Sequence, residues 1–257
     1  MTIKFTILGC GSSLGVPKID GDFGNCDPNN KKNYRTRSSA LISIKNFNVL
    51  IDTSPDVKNQ LIKNKIKDIK KVFYTHKHAD QTHGINELRA FYLSENKKID
   101  VYADKVTSKY LRNNFAYCFN GVKGYPSILN LNKLKNRHVY TYQNNKLIIE
   151  SMVVDHGNIK SILYKINNIC AYSSDVSKIS DRNINKLKNI KFLVIDCLRY
   201  ESHPSHFNLN NVLDLIKIIN PKKAILTNMS YKIDYLEIKK FLPRNVIPAY
   251  DGMSFLI

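Results

Sequence analysis

The sequence has no tryptophan, few cysteines and a marked shortage of acids, with 21 Asp and Glu against 40 Lys and Arg in 257 residues. Each shortage excludes something. The five cysteines (Cys10, Cys26, Cys118, Cys170 and Cys197) are odd in number, widely spaced and never arranged as CxxC. That pattern argues against a disulfide framework or a zinc ribbon and points to a reducing compartment. No apolar run approaches the ~18 residues that a membrane-spanning helix needs. The apolar stretch Phe5 to Leu8 runs straight into Gly9-Cys10-Gly11-Ser12-Ser13, so no secretory signal is expected. The expectation is a soluble, cytoplasmic protein with no membrane partner. A composition of 43% hydrophobic and 24% charged residues excludes a disordered or fibrous chain.

The missing acids leave a formal charge of +19. Nucleic acid is the first partner such a charge suggests, and composition speaks against it. The cations are 32 Lys and only 8 Arg, and the Lys are scattered, with no dense tract. A surface selected for phosphate uses Arg, whose planar fork grips in two places. Lys, Asn and Ile, all favoured by AT-rich codons, together supply 92 residues. The charge therefore reads as compositional background, and nucleic acid is not the favoured partner.

No repeat and no Pro- or Ser-rich linker divides the chain, which predicts a single domain over residues 1–257. Apolar runs predict strands at Lys4 to Leu8, Ala40 to Ile44, Asn48 to Ile51, Lys71 to Tyr74, Leu147 to Val154, Ile162 to Ile166, Ile169 to Ser173, Phe192 to Asp196 and Ala224 to Thr227. Helices are predicted over Asp56 to Asn64, Asn86 to Leu93 and Val106 to Phe119, and from the spacing of Leu209, Val212, Leu213 and Ile216. The Gly-, Asn- and Lys-rich stretch Asn120 to Asn136 reads as a loop or lid. Strand series in both halves with helices between them predict an α/β fold, two packed sheets clothed by helices.

The chemistry concentrates after the Lys71 to Tyr74 strand, in Thr75-His76-Lys77-His78-Ala79-Asp80-Gln81-Thr82-His83-Gly84. Three of the chain's seven histidines fall within this one segment. His76 and His78, two apart after a strand, can face one side and share a metal ion, and imidazole suits zinc or manganese among others. Asp155-His156-Gly157, Ser173-Ser174-Asp175 and Asp196-Cys197 then close three later strands. A single His or Asp at a strand end is commonly a cap, but the ordered set is not.

This pattern resembles the metallo-β-lactamase-fold hydrolases, with their His-x-His-x-Asp-His motif after a strand and further ligands at later strand ends. Gly9-Cys10-Gly11-Ser12-Ser13, Asp196-Cys197, Ser205-His206-Phe207-Asn208-Leu209 and Tyr250-Asp251-Gly252-Met253 are similar to the phosphoribosyl 1,2-cyclic phosphate phosphodiesterase branch. The resemblance implies an αββα sandwich of two mixed sheets with one or two divalent ions, zinc or manganese, at the sheet edge. It implies that His76, His78, His156 and Asp175 form a first metal site, with Asp175 able to bridge two ions. A second site would draw on Asp80 and Asp175, but Gln81 stands where the motif's last His is expected and Asn228 where the late His is expected. An amide oxygen is a weaker ligand than imidazole, so Gln81 and Asn228 are expected to make a weak second site or none. His83, two residues past Gln81, is either a substitute ligand or a surface or capping histidine. A structural zinc site known in the branch is expected to be absent, because Cys26 is the only cysteine in the matching loop and Tyr231 replaces its histidine.

For catalysis, Asp80 is expected to orient the attacking water or accept its proton, and His206 to protonate the leaving oxygen or contact phosphate. Asp52 and Asp251 match recurrent family acids and are expected either to orient metal-binding histidines or to anchor loops as plain carboxylates. Arg35 and Arg37, with Arg199, are candidates to grip substrate phosphate because Arg is scarce. The expected function is a metal-dependent phosphodiesterase that turns a metal-activated water on a small cyclic or nucleotide-like phosphate ester. The alternatives are an RNA-processing nuclease of the same superfamily, or a metal-binding protein that has lost catalysis. A homodimer is among the expected assemblies.

Overall fold

In the computed structural model, which describes residues 3–122 and 124–257, the chain alternates between strands and short helices. The first half forms β1 (Lys4–Gly9), β2 (Ser39–Ile44), β3 (Phe47–Ile51), α1 (Val57–Lys63), β4 (Lys71–Phe73), the single turn α2 (Ala79–Thr82), α3 (Arg89–Glu95), β5 (Ile99–Ala103), α4 (Lys105–Asn114), α5 (Ala116–Phe119) and β6 (Leu129–Lys133). The second half forms β7 (Arg137–Tyr142), β8 (Asn145–His156), β9 (Ile159–Ile166), β10 (Cys170–Ser173), α6 (Asp181–Leu187), β11 (Phe192–Asp196), α7 (Leu209–Ile219), β12 (Lys223–Thr227), α8 (Tyr235–Phe241), β13 (Val246–Pro248) and β14 (Ser254–Leu256).

These strands make two seven-stranded sheets, ordered β14-β1-β2-β3-β4-β5-β6 and β13-β12-β11-β10-β9-β8-β7. Both are mixed: β3 to β6 run parallel in the first, and β10 to β13 run parallel in the second. Side chains alternate faces along a strand, and the sequence uses that alternation to bury the first sheet on both sides. Phe5, Ile42, Val49 and Phe73 enter the core between the sheets, while Leu8, Leu41, Leu50 and Val72 enter a second core beneath α1, α4 and α5. On the far side, Leu187, Val212, Ile216 and Ile238 seat α6, α7 and α8 against the second sheet. Helix, sheet, sheet, helix is the αββα sandwich expected from the sequence.

Local departures have local causes. The stretch expected as a loop or lid at Asn120 to Asn136 contains β6, whose Leu129 is buried while Asn130 faces solvent, and which pairs parallel to β5. The helix expected over Val106 to Phe119 breaks at Phe115, whose φ of −129° and ψ of 37° end α4 and begin α5. Among the described residues, no helix is long and apolar enough to cross a membrane.

Candidate metal centre

Strand ends from both sheets bring polar groups to one rim of the sandwich. Asp52 follows β3 and His76 lies three residues past β4. His156 closes β8, Asp175 lies two residues past β10, Asp196 closes β11 and Asn228 follows β12. Parallel neighbours place their carboxyl ends side by side, the usual place for ligands in sheets of this kind.

The first rank is a trio of imidazoles. His76 Nε2 lies 3.0 Å from His78 Nδ1, and His78 Nδ1 lies 3.4 Å from His156 Nε2. Their orientation is fixed from behind. The Thr75 hydroxyl donates to Asp52 Oδ2 at 2.8 Å and sits 3.0 Å from His76 Nδ1, so it is placed to accept that nitrogen's proton. Asp52 also accepts from the Thr75 amide at 2.8 Å. His156 Nδ1 donates to the Ser205 carbonyl at 2.6 Å. That contact needs the tight turn after β8: Gly157 has φ +58°, and a Cβ there would stand 2.7 Å from Ser205 Cβ. The inward nitrogens of His76 and His156 are left with lone pairs and no proton. Burial holds the His76 imidazole down to about 3, and burial with neighbouring imidazoles also lowers His78 and His156. Neutral imidazoles aiming bare nitrogens at one point are the chemistry of a divalent cation site, and these residues fit the metal that the fold implies.

Asp175 stands next to the trio. Its side chain is buried, and one carboxylate oxygen groups with nitrogens of His156 and His206 within 4.8 Å of one another. Burial alone would raise its pKa, but His76, His206 and His156 together outweigh it and hold the group lowered. Asp80, on α2, shares the Gln81 amide nitrogen with Asp175, at 3.0 Å and 3.2 Å. Burial and the Asp175 charge push its carboxyl up to about 6. Asp80 belongs to neither of the ligand groupings found among the described residues.

His206 is anchored by Asp196, with Nδ1 2.7 Å from Asp196 Oδ2. Burial opposes the charged imidazole, yet attraction to Asp196 and the hydrogen bond raise His206 to about 9. Asp196 is fully buried and also accepts from the Val176 amide at 3.0 Å. Sequence reasoning missed this role, although an acid closing the apolar run Phe192 to Ile195 was its signal. Above these groups opens a cleft of about 320 Å³, lined by His78, Asp80 and His206, with Arg199, His203 and Lys232 among its cationic or imidazole walls.

Several expected site residues lie elsewhere. Arg35 does not reach the cleft as a phosphate ligand: it is 2% exposed, and its guanidinium bonds the Ser230 carbonyl at 3.2 Å and Asn33 Oδ1 at 3.0 Å. Arg37 is likewise committed, as a two-pronged pair with Asp56. Asp251 orients no metal-binding histidine. It binds the Cys10 and Thr36 amides at 3.0 and 2.8 Å, tying the glycine loop to the 35–37 segment. Asp52 reaches His76 only through Thr75. His83 caps α2 and contacts the Tyr110 hydroxyl at 2.9 Å, outside both ligand groupings. Cys26 Sγ contacts the Ile233 carbonyl at 3.2 Å and belongs to neither ligand grouping found among the described residues.

The profile described as the Beta-lactamase superfamily domain matches residues 47–229, a span that includes every group from Asp52 to Asn228. An octanoyltransferase from Porphyromonas gingivalis (strain ATCC BAA-308 / W83) is 30% identical over 261 residues, covering 99% of this chain and 52% of that protein. The chain thus spans about half the length of that curated relative. Among solved structures, a diphosphatase from the PhnP family is similar over 100% of this chain and 98% of its own, with 27% identity and a TM-score of 0.90. Zn²⁺-bound PqqB from Methylobacterium extorquens shares the fold at 16% identity and TM-score 0.76, over 98% of this chain and 99% of its own.

Proposed function

The chain belongs to the β-lactamase superfamily, as a metallo-β-lactamase-fold hydrolase of the PhnP-like branch, and we propose that it is a metal-dependent phosphodiesterase acting on a small cyclic or nucleotide-like phosphate ester. One observation carries this reading: a hydrogen-bonded His206–Asp196 pair stands directly beside the imidazole trio on the wall of a small cleft. The His156 and His206 ring centres are 4.6 Å apart. Ligand set and proton donor therefore meet in one cavity, whose walls carry Arg199 and Lys232 for an anionic substrate. A cleft of about 320 Å³ suits a small molecule better than a polynucleotide. The octanoyltransferase is nearly twice as long as this chain, and its name carries no substrate over.

His76, His78 and His156, with Asp175, would hold a divalent ion, and three nitrogens plus one carboxylate favour zinc, with manganese as an alternative. When bound, such an ion supplies a Lewis acid and acidifies water. The chain's own groups do the rest. Asp80, raised toward neutrality by burial, is placed to accept a proton from attacking water. His206 presents a proton to the leaving oxygen, and Asp196 keeps the ring charged and turned toward the cleft. Arg199, whose guanidinium bonds the Glu201 and Ser202 carbonyls, and Lys232, 3.5 Å from Glu201, line the cleft and add positive charge beside the non-bridging oxygens. The five cysteines are all free and buried, which supports a cytoplasmic location.

The test is hydrolysis of bis-(p-nitrophenyl) phosphate and of cyclic nucleotides by protein purified without chelator, in zinc and in manganese. Turnover is expected with wild type and none with His78→Ala. Metal-loaded protein that cleaves no phosphodiester would overturn the reading.

A further inference from the structure

Behind the imidazole trio, three buried or nearly buried carboxylates, Asp80, Asp175 and Asp196, converge on two side-chain amides. Gln81 Nε2 lies 3.0 Å from Asp80 Oδ2 and 3.2 Å from Asp175 Oδ2. Asn228 Nδ2 lies 3.1 Å from Asp196 Oδ1 and 3.5 Å from Asp175 Oδ1. Both amides are sealed from solvent, Gln81 at 0% and Asn228 at 1% exposure. Asn228 Oδ1 lies 3.3 Å from Ser38 Oγ, whose hydroxyl also meets the Gly11 carbonyl at 3.0 Å, while Asn228 Nδ2 is turned toward the acids and lies 3.3 Å from His206 Nδ1. Asn228 is further held by a left-handed backbone, φ +59°.

Acids gathered this closely ordinarily call for a cation. Here the His206 ring lies 2.7 Å from Asp196 and 4.0 Å from Asp175, and the neutral N–H groups of Gln81 and Asn228 fill the places between neighbouring acids. Reversing either amide would turn an oxygen toward two carboxylate oxygens, which repel it. A cation between Asp80 and Asp175 must first displace the Gln81 nitrogen from both of its bonds. The arrangement leaves Gln81 Oε1 without a partner among the described residues, while each acid keeps a donor.

We propose that the chain holds one divalent ion, on His76, His78, His156 and Asp175, and that Gln81 and Asn228 close the neighbouring position between the carboxylates to a second ion. The inference rests on the metal-dependent reading above and deepens it. Gln81 and Asn228 are then positioning residues: Gln81 joins Asp80 to Asp175, and Asn228 joins Asp175 to Asp196.

The test is elemental analysis of protein equilibrated with excess zinc or manganese and freed of loose ions by gel filtration, paired with Co²⁺ titration of the metal-stripped protein followed by visible absorption. One ion per chain and a spectral end point at one equivalent are expected. The double variant Gln81→His/Asn228→His, which exchanges both amides for imidazoles, should rise to two ions and a two-equivalent end point. Two ions in wild type overturn the inference and leave the metal-dependent reading standing. No ion in wild type overturns both. If the double variant fails to fold, the wild-type stoichiometry decides alone.

Discussion

Two buried polar networks lie near one another in this protein, and they differ in how they are satisfied. Around Arg35, nearly every group finds a complement within the chain. The guanidinium takes Ser230 and Asn33, Asn33 Nδ2 takes Asp234 Oδ2 at 2.6 Å, and the Tyr235 amide takes Asn33 Oδ1 at 2.9 Å. Among the described residues of this network, only Arg35 Nε goes without. In the imidazole trio, the outer nitrogens of His76 and His156 have partners and the inner ones face each other. Buried polar groups are nearly always paired. A self-contained network is therefore architecture, while one with acceptors aimed at a common point awaits a ligand.

The strongest challenge to this contrast is His78→Ala. It should remove bound metal and all hydrolysis while leaving the melting temperature of the metal-free protein almost unchanged, as elemental analysis and calorimetry would show. Asp196→Asn probes the border between the two kinds of network. Its carboxylate holds a cleft histidine without touching the trio, so kcat should fall by about 10²-fold with metal content retained. Loss of the ion instead would move Asp196 into the ligand network.

Arg35→Met should do the reverse. Leaving the Ser230 carbonyl and Asn33 Oδ1 without their donor should cost about 2 kcal/mol in urea unfolding, with metal stoichiometry unaltered in the folded fraction. An Arg35→Met protein of full stability but impaired turnover would erase the distinction. His83→Ala is the control, since its ring packs on Tyr110 and Phe115 away from both networks. Activity within about twofold of wild type is expected, in line with a surface change.

The sequence made the imidazole side of the site legible because its signal is local. His76 and His78 follow a short apolar strand, and His156 and Asp175 end equally apolar runs. What it hid depends on distance along the chain. Arg35 and Arg37 stood out only as candidate phosphate ligands, because their scarcity was visible and their partners were not. Arg35 meets Ser230, 195 residues away. Asp251 was open to either a histidine or a loop, and its partner Cys10 lies 241 positions away. Within the fold, nine strands were readable from apolar runs. β5, β6, β7, β13 and β14 were not, because they are short or interleave apolar residues with polar or exposed ones that dilute the pattern. The amides at 81 and 228 stood out as departures, but only packing reveals that their nitrogens, not their oxygens, meet the acids.

The candidate ligands come from both sheets. His76 and His78 extend from β4 in one, and His156 and Asp175 from β8 and β10 in the other. Occupancy is therefore linked to cohesion between the two layers. A ligand that binds only the folded chain stabilises it by RT ln(1 + [L]/Kd), about 4 kcal/mol at a thousandfold excess over Kd. Since the donors span a hundred positions of chain, from 76 to 175, an ion held by them would act as a reversible cross-link between halves that otherwise adhere through apolar packing. Metal supply would then bear on the persistence of the folded chain as well as on its chemistry.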